Sequence, residues 1–145
     1  MTGTALAPMK RFQQELELRR STILKMLPAH IKPERFINAL YAAVSANKGL
    51  LDCPQESLIR AAYEAADLGL SLNPAMKEAD FIPRKSRKSG RVEAQFEPRY
   101  TGLMKLARQS GEIKDISAHV VYQNDKFKAE YGGRKTLLHE PVTSG

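Results

Sequence analysis

The tightest constraint on the fold lies between residues 78 and 111. Val92, Ala94 and Phe96 alternate with Glu93, Gln95 and Glu97, the period of two that marks a strand with one face in a core and the other in water. The apolar run around Phe81-Ile82-Pro83 precedes it, and Arg84-Lys85-Ser86-Arg87-Lys88-Ser89-Gly90-Arg91 lies between the two. This pattern predicts an antiparallel hairpin over 78–98. A helix is expected over 100–109, with Tyr100, Leu103, Met104 and Ala107 on its apolar side and Thr101, Lys105, Arg108 and Gln109 opposite. Gly111 should end it.

The rest of the chain reads as helices before this hairpin and strands after it. Residues 1–8, small and uncharged up to Pro8, are expected to form a flexible arm, and 9–145 a single domain. The spacing of Phe12, Leu16, Ile23 and Leu27 predicts one helix from 9 to 27, its narrow stripe suited to a neighbouring subunit or to the chain's own core. Pro33 opens a second helix to about Asn47, stopped by Gly49. Pro54 opens a third, to about Asp67, with Leu58, Ile59, Ala62, Ala65 and Ala66 recurring at three and four and Gly69 closing it. Downstream, Ile116, Ala118, Val120 and Tyr122 alternate, as do Phe127, Ala129 and Tyr131, with Gln123-Asn124-Asp125 between them as turn chemistry. The expected class is therefore α+β, with antiparallel hairpins forming a small sheet, helices packed on one face and a helical N-terminal region in front.

Charge narrows the function. The formal net charge is +7, unevenly spread: residues 77–108 hold nine Lys and Arg against four Asp and Glu. A basic patch of this kind suits an acidic partner. The 145 residues hold a single cysteine, Cys53, which excludes an internal disulfide framework and fits a reducing cytoplasm. Lying directly before Pro54, it is expected to cap or pack. The first nine residues lack the apolar core of a signal peptide, and no apolar run approaches the roughly 20 residues of a membrane span. A cytoplasmic protein without membrane contact is expected.

The loop 84–91 puts five cations into eight residues without an acid. Folding does not require this, and a polyphosphate backbone would reward it. Lys and Arg neutralise phosphates without reading sequence, and aromatic rings stack on any base, a combination suited to sequence-tolerant single-strand binding. The same loop would equally serve as a solvated hairpin tip, with Phe96 and Phe127 in the core. Lys105 and Arg108, three apart on one helix face, suit adjacent phosphates or plain solvent. Tyr100 and Gly102 mark the strand-to-helix joint, where glycine permits close backbone approach and free helix amides face an oxyanion; Tyr100 also fits an inward anchor.

Two other classes compete. A metal-dependent nuclease needs clustered carboxylates, and Glu78, Asp80, Glu93 and Glu97 lie on paired strands. No lysine stands two residues after Glu93, where such sites usually place one. The scattered His30, His119 and His139 lack ligand spacing, and no glycine-rich nucleotide loop is present. Neither metal nor cofactor is expected. A helix-turn-helix regulator would use the second and third helices, but residues 48–53 make a long connection and the third helix is alanine-rich.

The segment Tyr100-Thr101-Gly102-Leu103-Met104-Lys105-Leu106-Ala107-Arg108-Gln109-Ser110-Gly111, with Gln95-Phe96 and Phe81-Ile82-Pro83 before it, resembles the central signature of the RecT family of phage single-strand annealing proteins. Leu27-Pro28-Ala29-His30, Pro33-Glu34-Arg35 and Ala65-Ala66-Asp67-Leu68-Gly69-Leu70 fit it upstream. Val120-Val121-Tyr122, Asn124-Asp125 and His139-Glu140-Pro141 fit it downstream, over roughly 25–141. Lys77, Asp80, Arg84 and Arg99 stand where the family usually has glycine, two aromatics and glycine. The resemblance implies ATP-independent binding of single-stranded DNA and annealing of complementary strands during phage-type recombination, with no bond-making chemistry. It also implies a ring or helical filament of copies, an annealed duplex intermediate and a partner exonuclease. Members run further in the C-terminal direction, so the chain reads as an N-terminal or core portion. The expected DNA contacts are Arg84, Lys85, Arg87, Lys88, Arg91, Arg99, Tyr100, Lys105 and Arg108.

Overall fold

The computed structural model describes residues 7–142. Most of the expected N-terminal arm lies outside the described residues. The chain divides into two compact units, one ending at Ile113 and one beginning at Lys114.

The first unit is built around a buried helix. In chain order it contains α1 (Pro8–Leu18), α2 (Arg20–Met26), α3 (Pro33–Ala46), α4 (Lys48–Leu51), α5 (Gln55–Leu68), β1 (Ala79–Lys85), β2 (Val92–Pro98) and α6 (Tyr100–Gln109). Helix α5 buries Leu58, Ile59, Ala61, Ala62, Ala65 and Ala66. Its small residues let other elements approach closely, and Phe12 and Leu16 of α1, Ile23 of α2 and Phe36, Ile37, Leu40 and Val44 of α3 join the same core. Gly69 ends α5 with a left-handed φ of 61°, its N–H donating to the Ala66 carbonyl. A side chain there would also run into the Pro28 ring, so both conformation and space require glycine.

Several sequence expectations are revised here. The helix expected over 9–27 is two helices interrupted at Arg19 (φ −104°). The Arg19 guanidinium donates to the Glu15 carbonyl at 3.2 Å, and the Arg19 N–H turns instead to Leu16. The Phe12, Leu16 and Ile23 stripe is buried in the chain's own core, so it is not a free surface for a second subunit. Gly49 does not stop α3: Asn47 leaves the helical region and caps the short α4 by accepting from the Gly49 N–H. The burial of α5 argues against the helix-turn-helix alternative: its exposed charged positions are Glu56, Glu64 and Asp67 besides Arg60, which is tied to Glu93. Cys53 packs in the core, and its thiol pKa is raised, first by burial.

The hairpin forms as the alternation predicts. Strands β1 and β2 are antiparallel, pairing Phe81 with Phe96, Pro83 with Ala94 and Asp80 with Glu97. Phe81 and Phe96 meet edge to face at 6.3 Å on the core side. The edge of β2 is tied to α5 by Ser57, whose hydroxyl accepts from the Ala94 N–H at 3.0 Å and donates to the Pro54 carbonyl at 2.7 Å. A buried edge amide thus finds a partner outside the two-stranded sheet.

The second unit is small. An extended stretch leads to a turn at 122–125, then β3 (Lys126–Glu130) and β4 (Thr136–Glu140) pair antiparallel, Phe127 opposite His139. A second hairpin was expected, but between other partners: 116–122 forms no strand, and Phe127–Glu130 pairs with the segment after the Gly132-Gly133 turn. Asp125 organises this unit. Its carboxylate accepts from the Tyr122 and Val142 amides at 2.9 and 3.0 Å and bonds His139 Nε2 at 2.9 Å. These bonds, led by His139, hold its pKa down at about 2.

The α+β class is as expected, realised among the described residues as two separate two-stranded sheets with six helices. Among the described residues, no helix is long and apolar enough to cross a membrane.

Candidate nucleic-acid interface

The tip of the first hairpin is an ordered cationic turn. Ser86 N–H donates to the Arg91 carbonyl at 2.8 Å and Gly90 N–H to the Ser86 carbonyl at 2.9 Å, Gly90 taking a φ of 70°. Lys85, Arg87, Lys88 and Arg91 are exposed on it and make no ion pair with a carboxylate among the described residues. Arg84, at the end of β1, reaches Glu97 at 2.7 Å. Behind the tip lies an open groove of about 810 Å³, lined by the loop, by Glu93–Phe96 of β2 and by Arg60 and Glu64 of α5. Arg60 joins the loop cations only through the fold, 24 residues earlier in the chain, and no local pattern announces it.

At the opposite end of the hairpin stand Arg99 and Tyr100, while Arg108 lies about two turns further on, near the C-terminal end of α6. Seven strand residues at roughly 3.3 Å each separate the two groups by about 20 Å, so the expected contacts form two clusters and not one. Tyr100 is 73% exposed, which overturns its reading as an inward anchor. Leu103, expected on the apolar side, is 54% exposed as well. The helix packs instead through Gly102 and Leu106, about a third of a turn from the stripe that hydropathy alone marks.

The reason is the joint between β1 and α6. A Cβ on Gly102 would lie 2.2 Å from the Glu78 carbonyl oxygen, so glycine lets the helix press directly on that strand. The Glu78 carbonyl accepts from the Arg99 N–H at 2.8 Å, and the Thr101 hydroxyl donates to the Lys77 carbonyl. The close approach anticipated at Gly102 is therefore real, and strand backbone fills the space. Lys77 adopts a left-handed φ of 52°, a conformation that a residue with a side chain tolerates poorly.

Lys105 points into this joint. Its ammonium lies 2.9 and 3.1 Å from the two Glu78 carboxylate oxygens and 3.5 Å from the Gly69 carbonyl. Glu78 is only 6% exposed and also accepts from the Ser71 N–H at 2.7 Å. A buried carboxylate without a cation would be severely destabilising. Lys105 thus answers an internal charge.

The other acids of the hairpin are matched similarly. Asp80 accepts from Arg99, whose pKa is raised by that bond. Glu97 pairs with Arg84, and Glu93 accepts from Arg60 at 2.7 Å and from the Ser89 hydroxyl at 2.5 Å. The Ser89 bond first, then Arg60, holds Glu93 below the usual carboxylate range. Four acids with four separate cations do not make the shared carboxylate cluster of a nuclease site. Among the described residues, no three His, Cys, Asp or Glu side chains are grouped to hold a metal ion.

Comparison with known proteins bears on both units. The chain is 34% identical over 117 residues to "Protein RecT" of Escherichia coli (strain K12), an alignment covering 79% of this chain and 44% of that protein. The chain thus spans less than half the length of that relative. The RecT family model matches residues 34–144, a segment holding the cationic hairpin, the Glu78 joint and the Asp125 turn. The chain belongs to the RecT family.

Proposed function

We propose that this chain binds single-stranded DNA at the tip of its first hairpin and anneals complementary strands in recombination without ATP. The observation that carries the reading is the set Lys85, Arg87, Lys88 and Arg91, held exposed on an ordered turn and, among the described residues, in no ion pair with a carboxylate. Such cations neutralise backbone phosphate and release counterions while leaving base edges open for pairing. Arg84 lines the same groove beside them, and family membership supports the same function. Arg99 and Tyr100 form a second contact about 20 Å along the hairpin, the span of roughly six B-form phosphate steps, and Arg108 lies near the far end of α6. One strand engaging both ends would be held extended.

No phosphodiester bond is made or broken in this reading. Self-association and a partner exonuclease that produces the single strand belong to it, in the cytoplasm. The surface that supports association is on the second unit, where Phe127, Ala129, Leu137 and His139 share one face of the β3–β4 hairpin.

The test is binding of the chain to labelled oligothymidylate across a salt series. With about five phosphates neutralised, the slope of log affinity against log salt is expected near −3.5. Replacing Arg84, Lys85, Arg87, Lys88 and Arg91 together by Ser should flatten that slope and abolish annealing, while circular dichroism stays unchanged. A folded loop variant that anneals normally would move the strand away from the tip.

A further inference from the structure

We infer that Glu93 is a positioning residue that clasps the cationic loop to α5, setting its geometry before DNA arrives; the inference rests on the DNA-binding reading above. The charge of Glu93 argues against any simpler role. It is an acid lining a groove whose other walls carry Arg60, Arg84, Lys85, Arg87 and Lys88. By charge alone it opposes phosphate binding.

Its two oxygens are divided between two elements. Oε1 accepts from the hydroxyl of Ser89 in the loop at 2.5 Å, and Oε2 accepts from Nη2 of Arg60 on α5 at 2.7 Å. Ser89 is itself central to the turn: its hydroxyl accepts from the Arg91 N–H at 3.3 Å, and its N–H donates to the Ser86 hydroxyl at 3.4 Å. One carboxylate therefore joins a helix of the core to the middle of the loop. Without it, the six-residue turn keeps its own internal bonds but loses its tie to the core, and the cost of fixing its position would be charged to DNA binding. Arg60 serves the clasp from the other side and does not stand free for phosphate.

The sign of the effect separates this from electrostatics. Glu93→Ala adds one positive charge at the site, so charge alone predicts tighter binding. Loss of the clasp predicts about three- to tenfold weaker binding to oligothymidylate, with trypsin cutting faster after Arg87 and Lys88. Ser89→Ala, which breaks the loop side of the clasp together with the Arg91 N–H bond but leaves Arg60–Glu93 intact, should shift both readouts in the same direction, and it covers the case in which Glu93→Ala fails to fold. Glu93→Gln, which keeps an acceptor, should recover part of the affinity. Glu64→Ala removes the same charge from the same groove without touching the loop, and should bind as tightly as the unaltered chain or tighter. Glu93→Ala and Ser89→Ala that bind equally well or better, with the loop still protected, would overturn the clasp. Should the unaltered chain not bind oligothymidylate at all, the DNA reading fails, while trypsin protection that depends on Glu93 and Ser89 would still uphold the clasp.

Discussion

The two hairpins of this chain are built alike and stabilised in opposite ways. Each pairs short antiparallel strands, and each sets two rings directly opposite, Phe81 with Phe96 and Phe127 with His139, edge to face at 6.3 and 6.1 Å. The first ring pair packs into a core assembled around α5. In the second unit Phe127 and Leu137 are exposed, His139 is held against Asp125, and the organising group is the carboxylate of Asp125. A two-stranded hairpin needs a third layer to be independently stable. The first hairpin finds it in the helices, whereas the second relies on hydrogen bonds to one side chain.

That contrast can be broken most forcefully in the first core. Leu58→Ala, at a fully buried position of α5, is expected to cost about 2–5 kcal/mol. Leu137→Ala, 70% exposed in the second hairpin, should cost under about 0.5 kcal/mol. Urea melts of the two variants should differ accordingly, and equal losses would show that the second unit has a hidden core.

Next in size is the helix joint. Gly102→Ala must separate α6 from the Glu78 backbone and is expected to cost about 3 kcal/mol. Leu103→Ala, one position on, should leave thermal melts within about 1 kcal/mol because the side chain is half in water.

The second unit should be the acid-sensitive one. Asp125 has its pKa lowered to about 2 in the folded unit, against about 3.9 in an unfolded chain. Its stabilisation is thus present above about pH 4 and lost as pH falls towards 2. The amide resonances of Tyr122 and Val142 should move in that window, and in Asp125→Asn they should not titrate there.

The smallest effect concerns Lys77. Replacing it with glycine should relieve the left-handed strain and stabilise the first unit by about 0.5–1 kcal/mol, read as a higher midpoint in urea. A destabilised Lys77→Gly would mean that the lysine side chain contributes more than its backbone costs.

The hairpin at 78–98, the helices opened by Pro33 and Pro54, the stop at Gly69 and the cationic loop were all legible in the sequence. Each depends on neighbours in the chain: a period of two, a proline's fixed φ, a glycine's freedom, five cations without an acid. The family was legible too, because its motifs are short and ordered. What the sequence could not supply is which face of α6 packs. Hydropathy marks Tyr100 and Leu103, but Gly102 admits a closer approach, and Lys105 follows it inward to answer a buried Glu78. Nor could it join Arg60 to Glu93 and the loop, or choose 136–140 over 116–122 as the partner of β3. Those outcomes depend on charges and surfaces brought together from distant parts of the chain. Local pattern determined the elements and the basic loop, and only the tertiary structure decided which cations were matched by acids and which were left exposed at the hairpin tip.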